Sequence, residues 1–250
     1  MSSPAMQENR AEPVILSLCR IGGIAAFLLI AYCLATMVQL IILGGQPPSA
    51  AAAFDLLRSN RIMGLLRLDL LTLVALPLYY PLFLALSLAI WRVDDVKAIL
   101  SALFVFAGVT LALATPMGLS LVPLSEKYAA ATTDAARNQF LAAGEAILAS
   151  DMWHGAGALV GGILLQVGAT LICIPMLEHA AFSRLTGWLG LVMHGFDLAH
   201  IVFGLFMPAV GTTLIAIAGP MYPIWFFLVG RSLWRLARVA PSDAAILIRH

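Results

Sequence analysis

Charge is what this chain has least of. Of its 250 residues, 14 are Lys or Arg and 13 are Asp or Glu, 11% in all, where a soluble domain carries about 25%. That scarcity excludes an ordinary water-soluble domain. A net charge of +1 without any basic cluster excludes a nucleic-acid surface, so no nucleic-acid partner is expected. Cysteine is scarce as well. Cys19, Cys33 and Cys173 are odd in number, scattered, and set in or beside apolar runs, which excludes a disulfide framework and a CxxC metal site. They read as small apolar packing residues. No Ser-His-Asp arrangement, Gly-rich phosphate loop or haem motif stands out in the sequence.

Apolar residues fill the space that charge leaves. They make up 62% of the chain, against about 45–50% in soluble domains, and they gather into runs long enough to cross a bilayer. The pattern predicts an all-α membrane protein, a bundle of six transmembrane helices with amphipathic outer segments. The spans fall at about 17–43, 65–91, 96–122, 152–177, 185–207 and 212–231. Residues 1–16 form a polar N-terminal tail and 239–250 a C-terminal one. The first apolar run, Ile21–Leu43, is too long for a signal-peptide core and no small-residue cleavage site follows it directly, so it reads as a retained span.

Punctuation within the chain sharpens this outline. Gly22 and Gly23 offer a close-packing surface in the first span. Ser49 can cap a surface helix over Ala50–Ser59 with Phe54 and Leu57 facing inward. Pro77 and Pro81 put a bend in the second span beside Tyr79 and Tyr80, which reads as an ordinary proline bend before it reads as a pocket. Pro116 falls late in the third. Arg92–Lys97 is a tight turn. In the long outer segment, Thr133 and Asp134 open a surface helix with Phe140, Leu141, Gly144, Ile147 and Leu148 on one side and Arg137, Asn138 and Glu145 on the other. Asp151 reads as a helix cap. Gly157–Gly161 in the fourth span forms a GxxxG, a motif common by chance. Glu178 and His179 read as a solvated helix end. Gly219-Pro220 and Pro223 either kink the sixth span or delay its start.

Six spans put both ends on one side. Nine basic residues fall on that side and five (Arg58, Arg61, Arg67, Lys127 and Arg137) on the other, which places both termini in the cytoplasm.

Trp153-His154-Gly155 opening a glycine-rich span, then Phe182-Ser183-Arg184-Leu185-Thr186-Gly187-Trp188-Leu189-Gly190, form a recurring pattern. Asp197 early in the next span, Pro223-Ile224-Trp225 with Gly230 in the last, and Arg61 with Arg67-Leu68-Asp69 before the second complete it. In these the chain resembles an uncharacterised bacterial family of multi-pass membrane proteins, catalogued as a domain of unknown function. The resemblance implies the same fold and a bacterial inner-membrane location. It brings no activity, and His194 and His200 lie outside its pattern.

The stretch Trp188–Phe206 holds the residues where chemistry is expected. His194, Asp197 and His200 recur at three-residue intervals, on one side of a helix within an arc of about 120°. An Asp in mid-membrane costs about 2.5–3.5 kcal/mol on insertion scales, and something must offset it. His154, from the fourth span, is placed to join them. The cluster reads first as structural glue, with Asp197 fixing helix register, and next as a ligand or proton site. The third reading is a Zn²⁺ or Fe²⁺ site on His154, His194, Asp197 and His200. Gln166 reads as an interhelical hydrogen bond rather than a substrate contact.

The expectation from sequence is a non-catalytic protein without cofactor that binds or moves a small apolar molecule, or supports a partner in the membrane. Its partners are the lipid bilayer, that ligand, and a second copy or another membrane protein. Prolines in the second, third and sixth spans, with the polar side of the fifth, motivate a central cavity. The alternative is an intramembrane metal-dependent enzyme, which requires the four side chains to converge.

Overall fold

A computed structural model describes residues 4–115, 118–151 and 154–238. Pro116, Trp153 and the C-terminal tail from 239 lie outside them. No strand occurs among the described residues. Six segments are long and apolar enough to cross a bilayer: Pro13–Leu43, Leu70–Ile90, Asp95–Ala130, Ala156–Met176, Arg184–Gly204 and Pro208–Leu236. The fold is an all-α bundle of six transmembrane helices with amphipathic outer helices.

Helix α1 (Pro4–Leu43) starts inside the stretch read as a polar tail. Proline tolerates a first helical position, where its missing N–H has no partner to lose. Gly44 ends the helix in the left-handed region, at φ +82°. Ser49 then caps α2 (Ala50–Ser59) by accepting the Ala52 N–H, and Phe54 and Leu57 are buried as their spacing predicts. A short α3 (Arg61–Arg67) follows. Asp69 sits at φ +67° and breaks the helix, so the second span begins with α4 (Leu70–Ala75) rather than at 65. The prolines make a single 3₁₀ turn at Leu76–Leu78 before α5 (Tyr79–Ile90). Tyr79 packs on Phe83 and Phe226, and the Tyr80 hydroxyl bonds that of Thr110 at 2.7 Å.

Asp94 caps α6 (Asp95–Ala114), accepting the Lys97 N–H at 2.8 Å while the Lys97 ammonium pairs with its other oxygen. These bonds to Lys97 hold the Asp94 carboxyl below its usual range. The helix ends well short of 122. Thr115 turns extended, at ψ 152°, as the residue before a proline prefers. Helices α7 (Leu121–Ala130) and α8 (Asp134–Ala149) then join α2 in an outer layer around Phe54, Leu57, Leu68 and Leu121. Thr133 caps α8 as expected. Glu145 is exposed as its spacing predicts, and its carboxylate also accepts the Ala50 N–H at 2.8 Å and helps cap α2.

The remaining spans are α9 (Ala156–Met176), α10 (Arg184–Gly204), α11 (Pro208–Ala218) and α12 (Met221–Leu236). Helix α1 packs on α5 and α12, α5 on α6, α6 on α9, α9 on α10, and α10 on α11 and α12. The first and last helices therefore touch and close a ring. Its interior is filled by Phe83, Leu86, Ile172, Trp225 and Phe226, all fully buried.

Glycines set the closest approaches. A Cβ on Gly161 would fall 2.8 Å from the Gly108 carbonyl, and one on Gly108 would fall 2.5 Å from the Gly161 carbonyl. One on Gly157 would meet Thr115 at 2.7 Å, and one on Gly168 the Ser101 carbonyl at 2.8 Å. The GxxxG given little weight in the sequence is therefore part of the tightest helix pair, with backbones touching.

His179 corrects another expectation. In the turn between α9 and α10 it is 2% exposed, not solvated, and its ring stands edge-on to Phe182. Its Nδ1 accepts the Ala181 N–H at 3.0 Å, and burial pushes its pKa below the usual histidine value. A depressed folded pKa means that the neutral ring contributes stability above the unfolded pKa of about 6.5, and that this contribution is lost as pH falls through the folded value. Thermal unfolding between pH 7.5 and 4.5 should show the wild type losing stability on acidification. His179→Gln should lose less over the same interval, and equal pH slopes would refute the assignment.

Candidate polar site in the membrane core

The residues that meet in the core come from three helices. Gln166 lies midway along α9, about 15 Å from its start, with 6% exposure. His194 and Asp197 lie one turn apart on α10. Tyr222 stands in the first turn of α12 because the last span is broken just before it. Pro220 and Pro223 supply no N–H, so the helix cannot run through. Tyr222 recovers the Gly219 carbonyl with its own N–H at 3.2 Å as the new helix begins.

Gln166 is the centre. Its Oε1 accepts the His194 Nδ1–H at 2.7 Å, which fixes the tautomer and leaves Nε2 as the bare nitrogen. Its Nε2–H₂ donates to Asp197 Oδ2 at 2.7 Å and to the Tyr222 hydroxyl at 3.0 Å. The Tyr222 hydroxyl in turn donates to the same Asp197 oxygen. Oδ2 thus receives two donors while Oδ1 receives none among the described residues, and Asp197 is half-buried. His194 is fully buried, edge-on to Trp225 (4.9 Å, 88°) and to Tyr222 (5.6 Å, 84°). His194 Nε2 and Trp225 Nε1 have no hydrogen-bond partner.

The other two histidines are elsewhere. His200 donates its Nδ1–H to the Gly211 carbonyl of α11 at 2.9 Å. His154 lies beyond the start of α9, 60% exposed, with Nδ1 at 2.9 Å from Asp151. Asp151 is itself fully buried; it also accepts from Gln46 and from the His154 N–H, so it joins the outer loop to the α9 start rather than capping α9, whose cap residue is Gly155. The convergence demanded by the metal reading is not met, and among the described residues no three His, Cys, Asp or Glu side chains are placed to hold a metal ion.

Comparison with known protein families, with characterised proteins and with solved structures returns no match. The site must therefore be read from its own chemistry.

Gln166 is the interhelical hydrogen bond the sequence suggests, but it is also the hub that joins His194 to Asp197. Tyr222 is the residue that sequence reasoning missed. Its signal was present in Gly219-Pro220 and Pro223, which break the last span beside it. The central cavity finds less support. A cleft of about 310 Å³ lies instead in the outer layer, between Leu57, Arg58, Arg61, Val122, Ser125 and Glu126.

Proposed function

We propose that this is a bacterial inner-membrane protein, with both termini cytoplasmic, that binds or moves a small, largely apolar molecule at the polar site around Asp197. One observation carries the reading. Asp197 is anchored through Oδ2 by two donors on two other helices, while Oδ1, on a half-buried residue, accepts from no donor among the described residues. An intramembrane ionisable residue reads by default as a functional site, and the accessible second oxygen favours that reading over glue alone. The uneven basic count between the two sides supports the orientation. No catalytic step, cofactor or nucleic acid enters this reading, and the bilayer is the protein's solvent.

The test is a panel of small apolar compounds and lipid-extract fractions, read by thermal unfolding of protein in nanodiscs. At least one compound should raise the midpoint of the wild type and do so far less for Tyr222→Phe, which loosens Asp197 without removing a ring. If nothing in the panel stabilises the wild type, and Asp197→Asn lowers only its yield, the binding reading fails and a structural subunit takes its place.

A further inference from the structure

Asp197 lacks something that buried carboxylates in membranes ordinarily have. Intramembrane charges pair with opposite charges or with donors on every lone pair. Among the described residues, the ion pairs join Arg61 to Glu126, Lys97 to Asp94, Arg137 to Asp134 and His154 to Asp151, and none involves Asp197. Both donors that reach it, Gln166 and Tyr222, are neutral and converge on Oδ2. His200 lies within electrostatic range, but it is turned to the Gly211 carbonyl.

The aromatic neighbours of Asp197 narrow what could complete it. Tyr222 stands against Asp197, Tyr79 lies within electrostatic range of it, and Phe226 packs against both tyrosines at 5.9 and 6.1 Å. A small inorganic cation needs several oxygen ligands in a shell, and no group of three His, Cys, Asp or Glu among the described residues supplies one. An organic cation needs one carboxylate oxygen and ring faces, which attract positive charge through their quadrupole. Its apolar substituents suit the membrane.

We propose that the ligand of this site is a lipophilic organic monocation, a protonated or quaternary amine or its phosphonium equivalent, whose charge sits against Asp197 Oδ1. The proposal rests on the reading of Asp197 as a binding site and gives that site its ligand class. The protein supplies the carboxylate, Gln166 and Tyr222 hold it in one orientation, and the ligand supplies the missing countercharge. In the low-dielectric core an unshielded charge pair is far stronger than in water, so charge governs selectivity here more than shape does.

The experiment uses the full chain in nanodiscs and two probes of similar bulk, tetraphenylphosphonium, a fixed monocation, and triphenylphosphine oxide, which is neutral. Equilibrium binding to the wild type should favour the cation by at least about tenfold after correction for empty nanodiscs. Asp197→Asn, which keeps the shape, should erase that preference. The wild-type comparison stands by itself if the variant does not fold. Equal binding of the two probes, or a preference unchanged in folded Asp197→Asn, overturns the cation proposal while leaving a binding site for neutral molecules. If neither probe binds and the compound panel above is also silent, the site reading fails together with the proposal.

Discussion

Gly161→Leu should prevent the bundle from assembling. At this position even a Cβ would lie 2.8 Å from the Gly108 carbonyl and 3.3 Å from the Ala112 nitrogen, and both obstacles are backbone of α6. A side chain there can be accommodated only by separating α6 from α9, which would also uncouple the contacts of Gly157 with Thr115 and of Gly168 with Ser101. Overpacking a well-filled core costs about 1–3 kcal/mol where side chains can adjust, and rigid backbone raises the cost. The expected result is loss of the monodisperse peak on size-exclusion chromatography. Gly195→Leu is the control. It lies on α10, where a Cβ would meet nothing within 4 Å, and it should leave the elution profile unchanged. If both variants elute as wild type, α6 and α9 are not in contact as described.

The second large effect is expected from Gln166→Leu. The substitution removes an acceptor from His194 and one donor each from Asp197 and Tyr222. A buried group left without its partner costs about 1–3 kcal/mol. The His194 ring is fully buried, so its Nδ1–H would be stranded. Thermal unfolding should therefore show a fall of several degrees, greater than for Tyr222→Phe, which withdraws a single donor from Asp197. Adding His194→Phe to Gln166→Leu should restore part of the loss, because the stranded N–H disappears with its ring. Strict additivity of the two substitutions would show that Gln166 and His194 do not depend on each other.

The membrane architecture was readable because the bilayer leaves few alternatives. Long apolar runs must be helices, and the prolines and glycines that end them leave marks in the sequence. The 3₁₀ turn at Pro77 and the cap at Ser49 follow from single residues. The breaks at Asp69 and Thr115 were marked by Arg67 and Asp69 and by Pro116, but apolar residues resume beyond both, so the spans were drawn through them. The polar site was half readable. Asp197 and Gln166 each announce themselves as polar groups in apolar runs. The spacing of His194, Asp197 and His200 then suggests a single cluster, and there the reading went astray. Helical spacing gives a shared side, but that side is broad enough to face two neighbours. His194 and Asp197 meet α9, whereas His200 meets α11, which folds back after Met207. Which neighbour lies where is a property of packing, and one sequence does not encode it at the level of spacing.

The contact between the first and last helices sets an order on how the molecule is made. Gly22 and Gly23 enter the membrane early, yet Gly23 lies against the backbone of Gly230, and Gly22 lies partly against Leu233. Chains emerge from the N-terminus at a limited rate, so that surface of α1 stays uncovered until residues 230–233 have been synthesised. Tyr222 and Trp225 arrive on the same late helix, so Asp197 lacks one of its two donors and His194 its indole neighbour until then. A ribosome stalled before residue 220 would hold five spans with an unfinished polar core. Among the described helices the polar site is thus completed late, by the same helix that closes the ring.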